Sequence, residues 1–116
     1  MIQITPHMKI LVAVEPVDFR RGIDGLAAVC RQRLDSDPMT GALFVFISRR
    51  RTAIKCLVYD SQGFWLAQKR LSKGTFTGWP KAEGASLRWD PLQLQALIWN
   101  GHPPQASTVW KSVSAA

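Results

Sequence analysis

The sequence predicts an α+β fold: a largely antiparallel β-meander packed against one main helix, with a short helix near the C-terminal end. Three observations carry this. Residues 43–71 read as three successive strands separated by a charged link and a turn signal. Residues 19–34 switch to an apolar spacing of three and four. Asp90-Pro91 then opens a last apolar stretch as a helix start.

In order, residues 1–8 are expected to form a loose lead-in, broken at Pro6 and His7. Residues 9–14, KILVAV, form a compact apolar strand. Glu15-Pro16 stops it, because the residue before proline is pushed out of helical geometry and proline brings no ladder donor. Phe19, Ile23, Leu26, Ala27, Cys30 and Leu34 then fall on one side of a helix over residues 21–34. Asp24 near its start and Arg31 and Arg33 near its end suit the helix dipole. Gly22 and Gly25 weaken this helix and mark a close approach of its first turn to another part of the backbone.

The breakers of residues 35–41, DSDPMTG, return the chain to the meander. Leu43–Ile47 is β-branched and aromatic. Ser48 to Thr52, with three arginines inside, is most simply a hairpin loop. Across residues 53–59, Ile54, Cys56 and Val58 share one face and Lys55, Leu57 and Tyr59 the other. Asp60-Ser61-Gln62-Gly63 is a turn, since Asp can bond its own backbone and Gly accepts positive φ. The third strand starts apolar and ends polar. Residues 72–80 are too rich in glycine to be regular, although Phe76 and Trp79 can fold back on the sheet. Residues 86–89 read as a short strand, and a helix near residues 92–99 ends at Asn100-Gly101. One domain is expected over residues 1–101, with residues 102–116 a mobile tail on which Trp110 can dock.

At 116 residues the chain can bury a single core without staples. No apolar run approaches the ~20 residues of a membrane span, and no secretory leader is legible. Cys30 and Cys56 stand alone, which suggests buried, reduced thiols and a cytoplasmic protein.

Charge is the most informative property. The formal net charge is +7. Residues 49–73 hold seven Lys and Arg against the single acid Asp60, so nearly all the excess lies there. Clustered cations attract phosphate backbones by long-range electrostatics and counterion release. Arg49, Arg50 and Arg51 have the best claim to phosphate, because a loop tip projects them together; the plain alternative is a solubilising tip. Lys55, Lys69, Arg70 and Lys73 extend the set, with Arg20 and Arg21 second in line. Among the five tryptophans, Trp79 and Trp110 lie in irregular segments and are the expected exposed pair.

No catalytic constellation is legible. There is no phosphate loop, dinucleotide fingerprint or serine elbow, and neither His7 nor His102 has a partner at metal-ligand spacing. Asp18 and Asp24 are the one acidic pair worth weighing as a metal site of a small nuclease. Capping, or an ion pair with Arg20 or Arg21, is the simpler use of them. The expectation is a non-enzymatic protein without metal or cofactor.

Asp18-Phe19-Arg20-Arg21-Gly22-Ile23-Asp24-Gly25-Leu26, the stretch from Asp37-Pro38 to Phe46, and the stretch from Ile54-Lys55-Cys56-Leu57 through Gly63-Phe64, Lys69-Arg70-Leu71 and Gly74-Thr75-Phe76 to Pro80 occur in an order and spacing with a precedent. Over residues 8–101 the sequence resembles the TnpB-type accessory protein of the bacterial insertion-sequence 66 family of transposable elements. The extra Thr77-Gly78 is a departure from that pattern. The resemblance implies a protein encoded beside a separate transposase that carries the catalytic acids. The function expected is therefore an accessory factor of transposition that binds DNA and assists the transposase. The alternative is an adaptor that grips the transposase without touching DNA.

Overall fold

A computed structural model describes Thr5 and residues 7–99. The expected tail, Trp110 and the Asn100-Gly101 helix end lie outside the described residues. The elements are β1 (Ile10–Ala13), α1 (Ile23–Gln32), a 3-10 turn (Pro38–Thr40), β2 (Leu43–Ile47), β3 (Ala53–Tyr59), β4 (Phe64–Arg70), β5 (Ser86–Trp89) and α2 (Pro91–Ile98). They form the expected α+β architecture.

The five strands make one sheet in the order β4-β3-β2-β1-β5. The β2-β3-β4 meander is antiparallel, with Val45 opposite Cys56 and Cys56 opposite Ala67. β1 joins β2 in parallel, Ile10 opposite Leu43, and β5 pairs antiparallel with the other edge of β1. α1 is thus the crossover between two parallel strands.

Both faces of the sheet are covered. On one face Leu26, Ala27, Val29 and Cys30 of α1 pack with Ala13, Phe44, Phe46 and Leu57. On the other, Leu94 and Leu97 of α2 join Phe76, Trp79 and Trp89 over Ile10, Val12, Val45 and Cys56. Double coverage explains why all five residues of β2 are buried and why that run is unbroken apolar rather than alternating. It also separates Cys30 and Cys56, both free and buried, into clusters on opposite sides of the sheet.

Local chemistry fixes the element ends. Asp90 accepts from the N–H of Gln93 at 2.8 Å while the Gln93 side chain accepts from Asp90 N–H, a reciprocal cap with Pro91 at the first helical position. Asp37 caps the 3-10 turn by accepting from Met39 N–H, and Gly41 leaves it at φ +89°. α1 is shorter than its apolar stripe. Phe19 precedes it and Leu34 follows it, because Gly22 supplies the N-cap without a side-chain bond and the chain leaves through Asp35 at φ +49°.

Several expectations are corrected. A Cβ on Gly25 would lie 2.9 Å from Arg21 Cβ, so the close approach is to the chain's own side chain just ahead of the helix; Gly22 has open space. In the Asp60 turn the left-handed residue is Ser61, at φ +80°, and not Gly63. Trp79 is not exposed: the residue is 9% accessible and its Nε1–H donates to Val14 O at 2.9 Å. Among the described residues the exposed tryptophans are Trp65 and Trp99, at 46% and 73%. The lead-in is in part anchored, as Met8 packs against the core.

Candidate nucleic-acid interface

The hairpin tip, the loop after β4 and the loop leading into α1 all meet at one end of the sheet. Three backbone contacts bring them there. Val17 N–H donates to Ile47 O at 3.0 Å and bridges to Ser48, laying the α1 approach beside the end of β2. Leu71 N–H donates to Thr52 O and Phe76 N–H to Arg51 O, both at 2.8 Å, which ties the segment after β4 to the far side of the hairpin. The tip itself closes through Arg51 N–H to Ser48 O and Ala53 N–H to Ser48 Oγ, with Arg51 at φ +61°.

Two shallow grooves result. The first is lined by Val17, Asp18, Phe19, Arg20, Ser48, Arg49, Arg50 and Thr52. The second is lined by Phe19, Ser48, Arg50, Thr52, Ala53, Gln68, Leu71 and Ser72, with Arg70, Lys73 and Gly74. They share Phe19, Ser48, Arg50 and Thr52, so Arg20, Arg49, Arg50, Arg70 and Lys73 border one continuous depression. Phe19 and the Ser48 and Thr52 side chains had no functional signal in the sequence, because each contributes only by standing between distant cations.

The four other candidate cations stand elsewhere. Arg51 is exposed at the tip but lines neither groove. Arg21 is half-buried beside Gly25. Lys69 lies on the opposite face of β4, where its ammonium donates to Ile98 O at the end of α2. Lys55 turns inward and is 7% accessible. Its Nζ donates to Phe19 O at 3.1 Å and Arg21 O at 3.0 Å and lies 4.9 Å from the Phe19 ring centroid. The strand alternation had put Lys55 on the face of Leu57, and α1 covers that face. Its ammonium therefore holds the α1 approach in place and offers no surface to phosphate.

Asp18 tempers the depression. Arg20 donates to it from its backbone N–H, Nε and Nη2, the last at 2.6 Å. These side-chain bonds with Arg20, with a smaller contribution from nearby Arg49, hold the Asp18 carboxyl far below the usual carboxylate range. Asp18 is thus an internal counter-ion at neutral pH. Its carboxylate is engaged by Arg20, and among the described residues no group of three or more His, Cys, Asp or Glu side chains converges.

Comparison with known proteins gives a consistent relationship. The family model described as IS66 Orf2 like protein matches residues 8–107. The uncharacterized protein y4jC of Sinorhizobium fredii (strain NBRC 101917 / NGR234) is 38% identical over 98 residues, covering 84% of this chain and 83% of its own. The uncharacterized protein y4hO of the same strain is 36% identical over 92 residues, covering 79% of each chain. No solved structure matches. Among the described residues no helix is long and apolar enough to cross a membrane.

Proposed function

Because this chain belongs to the IS66 Orf2-like family, we propose that it is a non-enzymatic accessory factor of insertion-sequence transposition that binds DNA through phosphates and helps position a separate transposase. One observation carries the DNA-binding part of this reading. Arg20, Arg49, Arg50, Arg70 and Lys73, drawn from three segments, border one depression whose only acid is Asp18. Its lining includes Ser48 and Thr52, hydroxyl-bearing residues of the kind that contact phosphate oxygens. Neutralising phosphates with these cations releases the counterions condensed on the nucleic acid, so the attraction is sequence-independent and strongly salt-dependent.

The test is fluorescence anisotropy of random duplex, random single strand and the element's terminal repeats at several salt concentrations. Changing Arg49 and Arg50 together to Ala should weaken binding on all sequences alike and reduce the log–log salt slope by about 2 on duplex DNA. An unchanged slope removes this site from the DNA-binding account. The adaptor reading draws on a separate observation, the two indoles Trp65 and Trp99 left in water, since aromatic side chains are enriched at interface centres. Capture of the transposase that survives nuclease treatment, by protein that ignores DNA at low salt, would select it.

A further inference from the structure

We propose that the outer edge of the sheet is a stacking platform for unpaired bases, so that the nucleic acid this protein prefers is single-stranded. The inference rests on the DNA-binding reading above and names its substrate class.

β4 is an edge strand, paired to β3 on one side only. Opposite pairs Val58–Trp65, Cys56–Ala67 and Ile54–Lys69 place Trp65, Ala67 and Lys69 in a row on the α2 face. Trp65 and Lys69 are four residues apart, or about 13 Å along a strand. Ala67, exposed between them, leaves open floor. At the Lys69 end the ammonium is bonded to Ile98 O, which brings Trp99, the next residue, to the same end of the row. The row therefore starts on one exposed indole and ends on a cation bonded to the residue that precedes the other exposed tryptophan. The bond to Ile98 uses one of the three ammonium donors and leaves the others for a phosphate.

The Trp65 ring is held ready. Its Nε1–H donates to Asp60 Oδ2 at 2.7 Å, and Asp60 also accepts from the N–H groups of Gln62 and Gly63 at 3.0 Å. Arg70, next along β4, points to the opposite face and borders the basic depression. A strand leaving that depression crosses the free edge of β4, from Arg70 on one face to Lys69 on the other, before it reaches the indoles. Charged residues on an edge strand also discourage aggregation. That accounts for Lys69 and Arg70 but not for two large rings left in water, Trp65 on the Lys69 face and Trp99 just past the end of α2. Aromatic faces next to a cationic track are what sequence-tolerant single-strand binding uses. A duplex hides its base faces and gains nothing from them.

The experiment compares labelled oligo(dT) with a random duplex for the intact protein and for Trp99→Ala, Trp65→Leu and the Arg49/Arg50 double Ala variant. Trp99 is the most exposed large hydrophobic side chain among the described residues and is not part of the core, so Trp99→Ala folds even if Trp65→Leu does not. Each tryptophan variant should bind oligo(dT) about ten-fold more weakly, with the salt slope and duplex affinity unchanged. Oligo(dT) should also quench the tryptophan emission of the intact protein. Unchanged oligo(dT) affinity in both tryptophan variants, with the arginine variant still impaired, overturns the platform and leaves the basic depression standing. Absence of salt-dependent binding to either DNA overturns both. Loss of transposase capture with DNA binding intact assigns the indoles to a protein and likewise overturns the platform.

Discussion

Replacing Lys55 with Met separates a cation that builds the fold from one that contacts DNA. Methionine keeps most of the buried stem and removes only the ammonium. Two carbonyls, Phe19 O and Arg21 O, then lose donors at 3.1 and 3.0 Å, and the Phe19 ring loses the cation 4.9 Å from its centroid. A carbonyl orphaned on burial costs about 1–3 kcal/mol, and an exposed-to-partly-buried cation–π contact is worth about 0.5–2 kcal/mol. Both carbonyls are only partly buried and can recover some hydration. The expected loss is therefore about 2–4 kcal/mol, enough to lower the melting temperature of a domain this size by roughly 10 °C. Thermal melts by circular dichroism read the stability, and anisotropy at several salt concentrations reads the DNA slope. Lys55→Met should melt early with the parent's slope, and Arg50→Ala the reverse. A Lys55→Met protein that melts with the parent but loses slope would refute the inward assignment of this side chain.

Three further outcomes are expected. Asp18→Asn should steepen the salt slope by up to ~0.9, because Arg20 is released from its counter-ion to contact one more phosphate; the anisotropy series checks it. Ser61→Gly should stabilise the protein by up to about 1 kcal/mol in urea unfolding, since Ser61 sits at φ +80° where glycine is unstrained. Burial pushes the Cys30 and Cys56 thiols up to about 12, from 9.0. Their folded values exceed their unfolded ones, so the stability tied to them is fully present below pH 9 and is lost as pH rises towards 12. Urea midpoints at pH 8 and pH 10 under reducing conditions should fall accordingly, less so in a Cys56→Ala protein.

The sequence by itself determined the local elements, because the forces that set them act over a few residues. Asp90-Pro91 caps α2, Asp37-Pro38 starts a 3-10 turn, and alternation separates Ile54, Cys56 and Val58 from Lys55 and Leu57. The basic character of residues 49–73 was equally plain. The three resembling stretches, around Asp18, Asp37-Pro38 and Lys69-Arg70, also led to the right family. Only the tertiary structure decided what each face meets. Alternation assigns Lys55 to a side of the strand but cannot say that α1 covers that side, and a cation under a helix becomes a backbone anchor. Trp79, in a glycine-rich loop, has no periodicity to reveal that it closes the core through Val14 O, sixty-five residues away. Trp65 stays in water because β4 is a free edge of the sheet, the last strand, β5, being paired to β1 at the other edge. Such pairings join segments far apart in the chain, where the free energy of burying two faces at once outweighs local preference. The basic depression exists for the same reason: its five cations come from three segments that meet only at the end of the folded sheet.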